Sequence, residues 1–154
     1  SVLSDVAAAF STSSADAVYG DLVYVSKNSP NNIIRYWKSG HYSAEKLAMG
    51  WMPPHPTLYV RREVYEKWGG FDTSFHIAPD YDCMRRFLGL GKIECHYIPQ
   101  VLVKMRIGGK SNNSIANIML KSREDYNALK RNKIGGVVAL LYKNLSKVPQ
   151  FFCR

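Results

Sequence analysis

The chain has 154 residues, 46% of them apolar and 21% charged. That is the balance of a globular domain with a sizeable core, and it excludes disordered, collagen-like and coiled-coil chains. No uninterrupted apolar run approaches the ~18 residues of a membrane-spanning helix. The net charge of +9 is unevenly placed. Residues 1–103 hold ten Lys/Arg and ten Asp/Glu, whereas residues 104–154 hold eleven Lys/Arg against Glu124 and Asp125 alone. Such a segment suits an anionic partner, either an anionic membrane leaflet or nucleic acid. A solvated basic face with no partner is the plainer alternative.

In chain order, Val2, Leu3, Val6 and Phe10 have helical spacing, stopped by Ser11 to Ser14. This opening carries Asp5 and no basic n-region, so it does not read as a secretory leader. Ala17–Val25 is β-branched and aromatic and predicts a strand. A turn over 27–32 and a returning strand, Ile33–Trp37, follow. Residues 39–50 read as a loop or short helix. The prolines of Met52-Pro53-Pro54-His55-Pro56 forbid a helix there. Thr57–Val60 predicts a short strand, and Arg61–Trp68 a short helix stopped by Gly69-Gly70. Asp80–Leu88 predicts a helix ended by Gly89 and Gly91. Ile93–Met105 predicts strand broken at Pro99, and Gly108-Gly109 a turn. Ser114 is placed to cap a long helix with Ile115, Ile118, Met119, Ser122, Tyr126 and Leu129 on one face. A last helix is expected over Val137–Leu145. Strands and helices are mixed, and the strands are few for a complete sheet, so the class is α/β, as if the second half of a larger domain.

Two constellations could carry chemistry. In Ala78-Pro79-Asp80-Tyr81-Asp82 an acid sits where a loop becomes a helix. Asp80 is either a first-turn acid favoured by the helix dipole or a carboxylate general base. In Gly50-Trp51-Met52-Pro53-Pro54-His55-Pro56-Thr57, Trp51 offers a stacking face and His55 a hydrogen bond, unless the loop is a rigid connector. His41, His55, His76 and His96 lack metal-ligand spacing, and Cys83, Cys95 and Cys153 form no CxxC pair. No zinc site or disulfide framework is expected, which suits a reducing, cytoplasmic setting. Gly108-Gly109-Lys110-Ser111 ends like a phosphate loop but lacks its earlier glycine, so a turn is the better reading.

Taken together, six blocks in order resemble the C-terminal half of bacterial family-two glycosyltransferases of the GT-A fold. They are Asp16 to Asp21, Gly50 to Thr57, Glu63 to Asp72, Ala78 to Asp82 with Arg86, Tyr97 to Pro99, and Val103 to Ser111. The resemblance implies a partial GT-A sheet flanked by helices over residues 1–112, followed by a basic amphipathic helical tail over 113–154. It implies inverting transfer of a sugar, hexosyltransferase-like, from a nucleotide-sugar donor to a saccharide or lipid-linked acceptor in surface polysaccharide or glycolipid assembly. Asp80 matches the family's catalytic base, with Pro79 in place of the usual preceding acid. Trp51, His55, Tyr81, Asp82 and Arg86 fall on the acceptor side, and Arg106 and Lys110 on the donor-phosphate side. Arg85 occupies a position more often apolar.

The resemblance also marks departures. The family often has a metal-holding His near Gly108, where this chain has Arg106-Ile107-Gly108. The nucleotide-binding half and its Asp-x-Asp motif have no counterpart, so the chain is expected to be an incomplete, inactive piece. A divalent metal, Mg or Mn, would then take its ligands mostly from outside it, and none of this chain's residues is expected as a metal ligand. The tail is expected to place the protein peripherally on the inner face of the plasma membrane, with no nucleic acid as partner. The competing reading, resting on charge alone, is a non-enzymatic basic module for anionic membrane or nucleic acid.

Overall fold

Residues 17 to 25 are the longest β-prone apolar run in the first half of the chain, and they become the strand on which everything else is built. The computed structural model describes residues 1–108, 115–132 and 137–145. Among these, β1 (Ala17–Val25) pairs on one side, in parallel, with β4 (Cys95–Arg106). On its other side β1 pairs antiparallel with β2 (Ile33–Trp37) near its end and with β3 (Tyr59–Val60) near its start. The result is a mixed four-stranded sheet.

Helices cover both faces. Successive strand residues point to opposite sides, and Ala17 and Val18 duly belong to different apolar clusters. On the Val18 side lie Val6 and Ala9 of α1 (Val2–Thr12), with Ile98 and Leu102. α1 ends where the Ser11, Thr12 and Ser13 hydroxyls donate back to the carbonyls of Ala7, Ala8 and Ala9. On the Ala17 side lie Leu47 of α2 (Ala44–Ala48), Val64 of α3 (Arg62–Trp68), and Tyr81, Cys83 and Met84 of α4 (Pro79–Arg85). Ala128 and Leu129 of α5 (Ile115–Arg131) and Ala139 of α6 (Val137–Leu145) complete that cluster. The protein is thus a mixed α/β fold with flanking and C-terminal helices.

Four sequence expectations need correction. Residues 55–57 form a 3₁₀ turn, which leaves β3 only Tyr59 and Val60. Gly89 does not end the helix begun at Pro79; the chain continues from α4 into a π-helical turn, Arg86–Leu90. Pro99 does not break β4. The ladder shifts from Tyr19 opposite Tyr97 to Asp21 opposite Val101, then to Leu22 opposite Val103, so β4 absorbs Pro99 in bulges, where a missing donor is tolerated. Finally, the buried side of α5 carries Glu124, Asp125, Ala128, Leu129 and, just beyond the helix, Asn132, while Met119 and Tyr126 are exposed. The apolar pattern misplaced the face because the inward polar side chains have partners elsewhere in the fold.

Candidate active site

Asp80 stands at the second position of α4, behind Pro79, whose missing N–H costs nothing at a helix start. Its Oδ1 accepts a hydrogen bond from the Tyr81 N–H, 2.8 Å away, and the residue is half-buried. The loop that delivers it is fastened from α5. Glu124 accepts the backbone N–H groups of His76 (2.8 Å), Ile77 (2.8 Å) and Ala78 (2.9 Å). Burial alone would push the Glu124 carboxyl up, but these three donors hold it below its ordinary value. Earlier in the loop, Asp72 Oδ1 accepts the Ser74 N–H at 2.9 Å, and its Oδ2 meets Arg131 Nη1 at 2.5 Å. The bonds from Ser74, then that from Arg131, lower the Asp72 carboxyl to about 2.

The other acceptor-side candidates on α4 are engaged within the fold. Asp82 is buried between Arg86 Nη2 at 3.1 Å and Asn132 Nδ2 at 2.9 Å. Arg86 also caps the end of α3, donating to the carbonyls of Trp68, Gly69 (3.0 Å) and Gly70 (2.9 Å). Tyr81 is buried in the core beneath the Arg85 guanidinium, 5.2 Å from its ring centroid. Burial pushes the Tyr81 phenol up to about 12, with Arg85 opposing and Asp125 adding. Arg85 is fully buried and donates to the Leu47 carbonyl.

The proline-rich loop divides between two neighbourhoods. His55 lies edge-on to Phe71, 5.5 Å between centroids, and Phe71 lies 6.4 Å from Tyr65. His55 therefore borders the loop that leads to Asp80. Trp51 instead donates from Nε1 to the Ser39 carbonyl at 3.1 Å and packs on Tyr19 and Tyr42. Between them, Thr57 Oγ1 contacts the carbonyls of Gly20 (3.0 Å) and Pro54 (2.8 Å), tying the loop to β1.

Trp51's neighbourhood holds a group to which the sequence assigned no role of its own. Asp21, buried in the middle of β1, accepts the Tyr36 phenol at 2.9 Å, the Tyr97 phenol at 2.8 Å and the Ser39 N–H at 2.8 Å. Tyr97 stacks on Tyr19 at 5.4 Å and meets His41 edge-on at 5.1 Å. The available signal was a carboxylate inside an otherwise apolar strand, which must bring donors with it. Glu124 and Asn132, which fasten the Asp80 loop and α4, were also missed.

Arg106 is exposed at the end of β4, opposite Val25. Beyond it the Ile107 N–H donates to the Val25 carbonyl at 3.1 Å. Lys27 comes to the same strand end: a Cβ on Gly108, at φ +105°, would lie 2.7 Å from Lys27 Cε. Lys110 lies outside the described residues. Among the described residues, no group of three His, Cys, Asp or Glu side chains could hold a metal ion. The metal implied by the resemblance thus finds no ligand set in them.

The arrangement can therefore offer a carboxylate on a braced loop, a histidine bordering that loop, and cations at the ends of the parallel strands. No family model matches the chain, and no curated protein or solved structure matches it.

Proposed function

We propose that the chain is the acceptor-side half of an inverting glycosyltransferase of the GT-A kind, the donor half and its metal motif being contributed by residues outside this sequence. In this reading Asp80 is the general base. Its carboxylate takes the proton of the acceptor hydroxyl as that oxygen attacks the anomeric carbon. The bond to the nucleoside diphosphate breaks, and the diphosphate leaves with the electron pair. A single displacement needs no covalent intermediate and inverts the anomeric centre. His55, beside Phe71, would border the acceptor, and Arg106 would lie toward the departing phosphates.

One observation carries the reading: two carboxylates sit two residues apart on α4, and they are used differently. Asp82 is buried and consumed by Arg86 and Asn132. Asp80 is half-buried, and its described bond is local, from the N–H of the next residue. A base must keep a lone pair within hydrogen-bond reach of substrate and be held at a fixed place. The Glu124 clamp on residues 76–78 supplies the second condition.

The test is transfer from a panel of nucleotide-sugars by the gene product carrying both halves, with the Asp80→Asn variant beside it. Loss of a general base costs about 10²–10⁴-fold in rate, and the thermal melt should be unchanged. Turnover close to that of the parent would remove Asp80 from the role, and no turnover by the parent on any donor would remove the reading.

A further inference from the structure

The side of α6 that the core leaves unused is apolar. Val138, Leu141, Tyr142 and Leu145 recur at i, i+3, i+4 and i+7, which is one helical face, and they are between 53% and 76% exposed. Ala139 is buried and Leu140 packs partly against the same core, so the body of the protein fixes how α6 is turned. The outward side of α5 adds exposed Met119 and Tyr126, with exposed Arg123 and Lys130 along the same side of the helix.

Charge makes this surface one-sided. The two acidic side chains among residues 104–154 are Glu124 and Asp125, and both are buried. Glu124 is spent on three backbone amides, and Asp125 lies 4.0 Å from Lys121. Lys121 and Arg131 are paired with Asp125 and Asp72, whereas the exposed Arg123 and Lys130 of α5 have no exposed side-chain carboxylate of residues 104–154 beside them. Solvent meets an apolar stripe on α6, and on α5 the apolar Met119 and Tyr126 interleaved with the cations Arg123 and Lys130.

Nucleic acid has no use for a stripe in which Val138, Leu141 and Leu145 are aliphatic. A second copy could cover the stripe, but it would bring two basic surfaces together, which is unfavourable. An anionic bilayer satisfies both halves, because its headgroups pair with the cations while its acyl boundary takes the apolar face.

We infer that the outward faces of α6 and α5 form a docking surface for an anionic lipid bilayer. The inference rests on these two helices alone and stands apart from the transfer chemistry proposed above.

Flotation of the 154-residue chain with vesicles tests it, comparing mixed phosphatidylglycerol–phosphatidylcholine vesicles with pure phosphatidylcholine. Binding to the anionic vesicles at low salt should fall at least tenfold, roughly, at about 1 M salt, where the screening length is about 3 Å. Leu141→Glu with Leu145→Glu should weaken it by about tenfold or more. Arg123→Glu with Lys130→Glu should do likewise, since each cation near an anionic leaflet is worth about fivefold. These side chains are exposed, so the melts should not move. As a readout that needs no loss of binding, Leu141→Trp should gain quenching by brominated acyl chains beyond that of the parent. Equal binding to neutral vesicles, or none to anionic ones at low salt, would overturn the inference. So would absent vesicle binding with a dimer that the Leu141→Glu, Leu145→Glu variant dissolves, or with DNA binding that it leaves intact.

Discussion

Asp21 in the sheet and Glu124 on α5 are both buried carboxylates that accept three hydrogen bonds, but they hold different kinds of structure. Glu124 gathers three consecutive backbone N–H groups, from His76 to Ala78. Asp21 gathers two phenols and one amide, from β2, β4 and the segment after β2. Backbone amides cannot turn away when their acceptor is lost, whereas a phenol can rotate toward another partner or water. The approach to α4 is therefore the brittle region, and the centre of the sheet the forgiving one. If Asp80 is the base, its position depends on the brittle region.

The largest effect should come from Glu124→Ala. It strands three buried or half-buried amides, each costing about 1–3 kcal/mol, so a loss of at least about 3 kcal/mol is expected in denaturant unfolding. The pH dependence follows from the lowered carboxyl of Glu124. A depressed pKa contributes stability that is present above the unfolded value and lost as pH falls through the folded one. The parent should therefore lose stability below about pH 4.5, the ordinary value of the group, and Glu124→Gln should flatten that acid limb. An unchanged acid limb in Glu124→Gln would show that the clamp does not depend on charge.

The two regions were unequally legible. β1 could be read because its apolar, β-branched run is long and has both faces buried. The start of α4 could be read because Pro79 and an acid mark a first turn. What Asp82 and Arg86 do could not be read, because their partners Asn132 and the Trp68–Gly70 carbonyls are set by tertiary packing. The buried face of α5 was misread for the same reason: Glu124 and Asn132 look like solvent-facing residues until their partners 46 to 50 positions away are known. Pro99 is a local breaker whose effect the register shift of β4 cancels.

Gly20→Ala presses on the forgiving region from its backbone. An added Cβ would lie 2.5 Å from Leu102 Cγ, 2.7 Å from Leu102 Cδ1 and 2.9 Å from the Gln100 carbonyl. Leu102 is buried with Val6, Ala9 and Val18, so it has little room to move. Overpacking of this kind costs about 1–3 kcal/mol. A melt equal to that of the parent would mean that the β4 bulge slides freely, and the sheet centre would be softer than its contacts imply.

Tyr97→Phe should have the smallest effect and gives the clearest contrast with Glu124. It removes one hydrogen bond to Asp21 but leaves the Tyr36 phenol and the Ser39 N–H in place, so about 1.5 kcal/mol is expected at neutral pH. Its signature lies at the opposite end of the pH scale. Burial first, and then the bond to Asp21, push the Tyr97 and Tyr36 phenols up to about 12. A raised pKa contributes stability that is complete below the unfolded value of about 10 and lost as pH rises through the folded one. The parent should therefore weaken between about pH 10 and about pH 12. Tyr97→Phe should lose less over that interval and keep the acid limb that Glu124→Gln flattens. Unfolding midpoints measured across both limbs for the two variants would separate the regions; if Tyr97→Phe altered the acid limb instead, the sheet centre as well as the Glu124 clamp would set the acid stability.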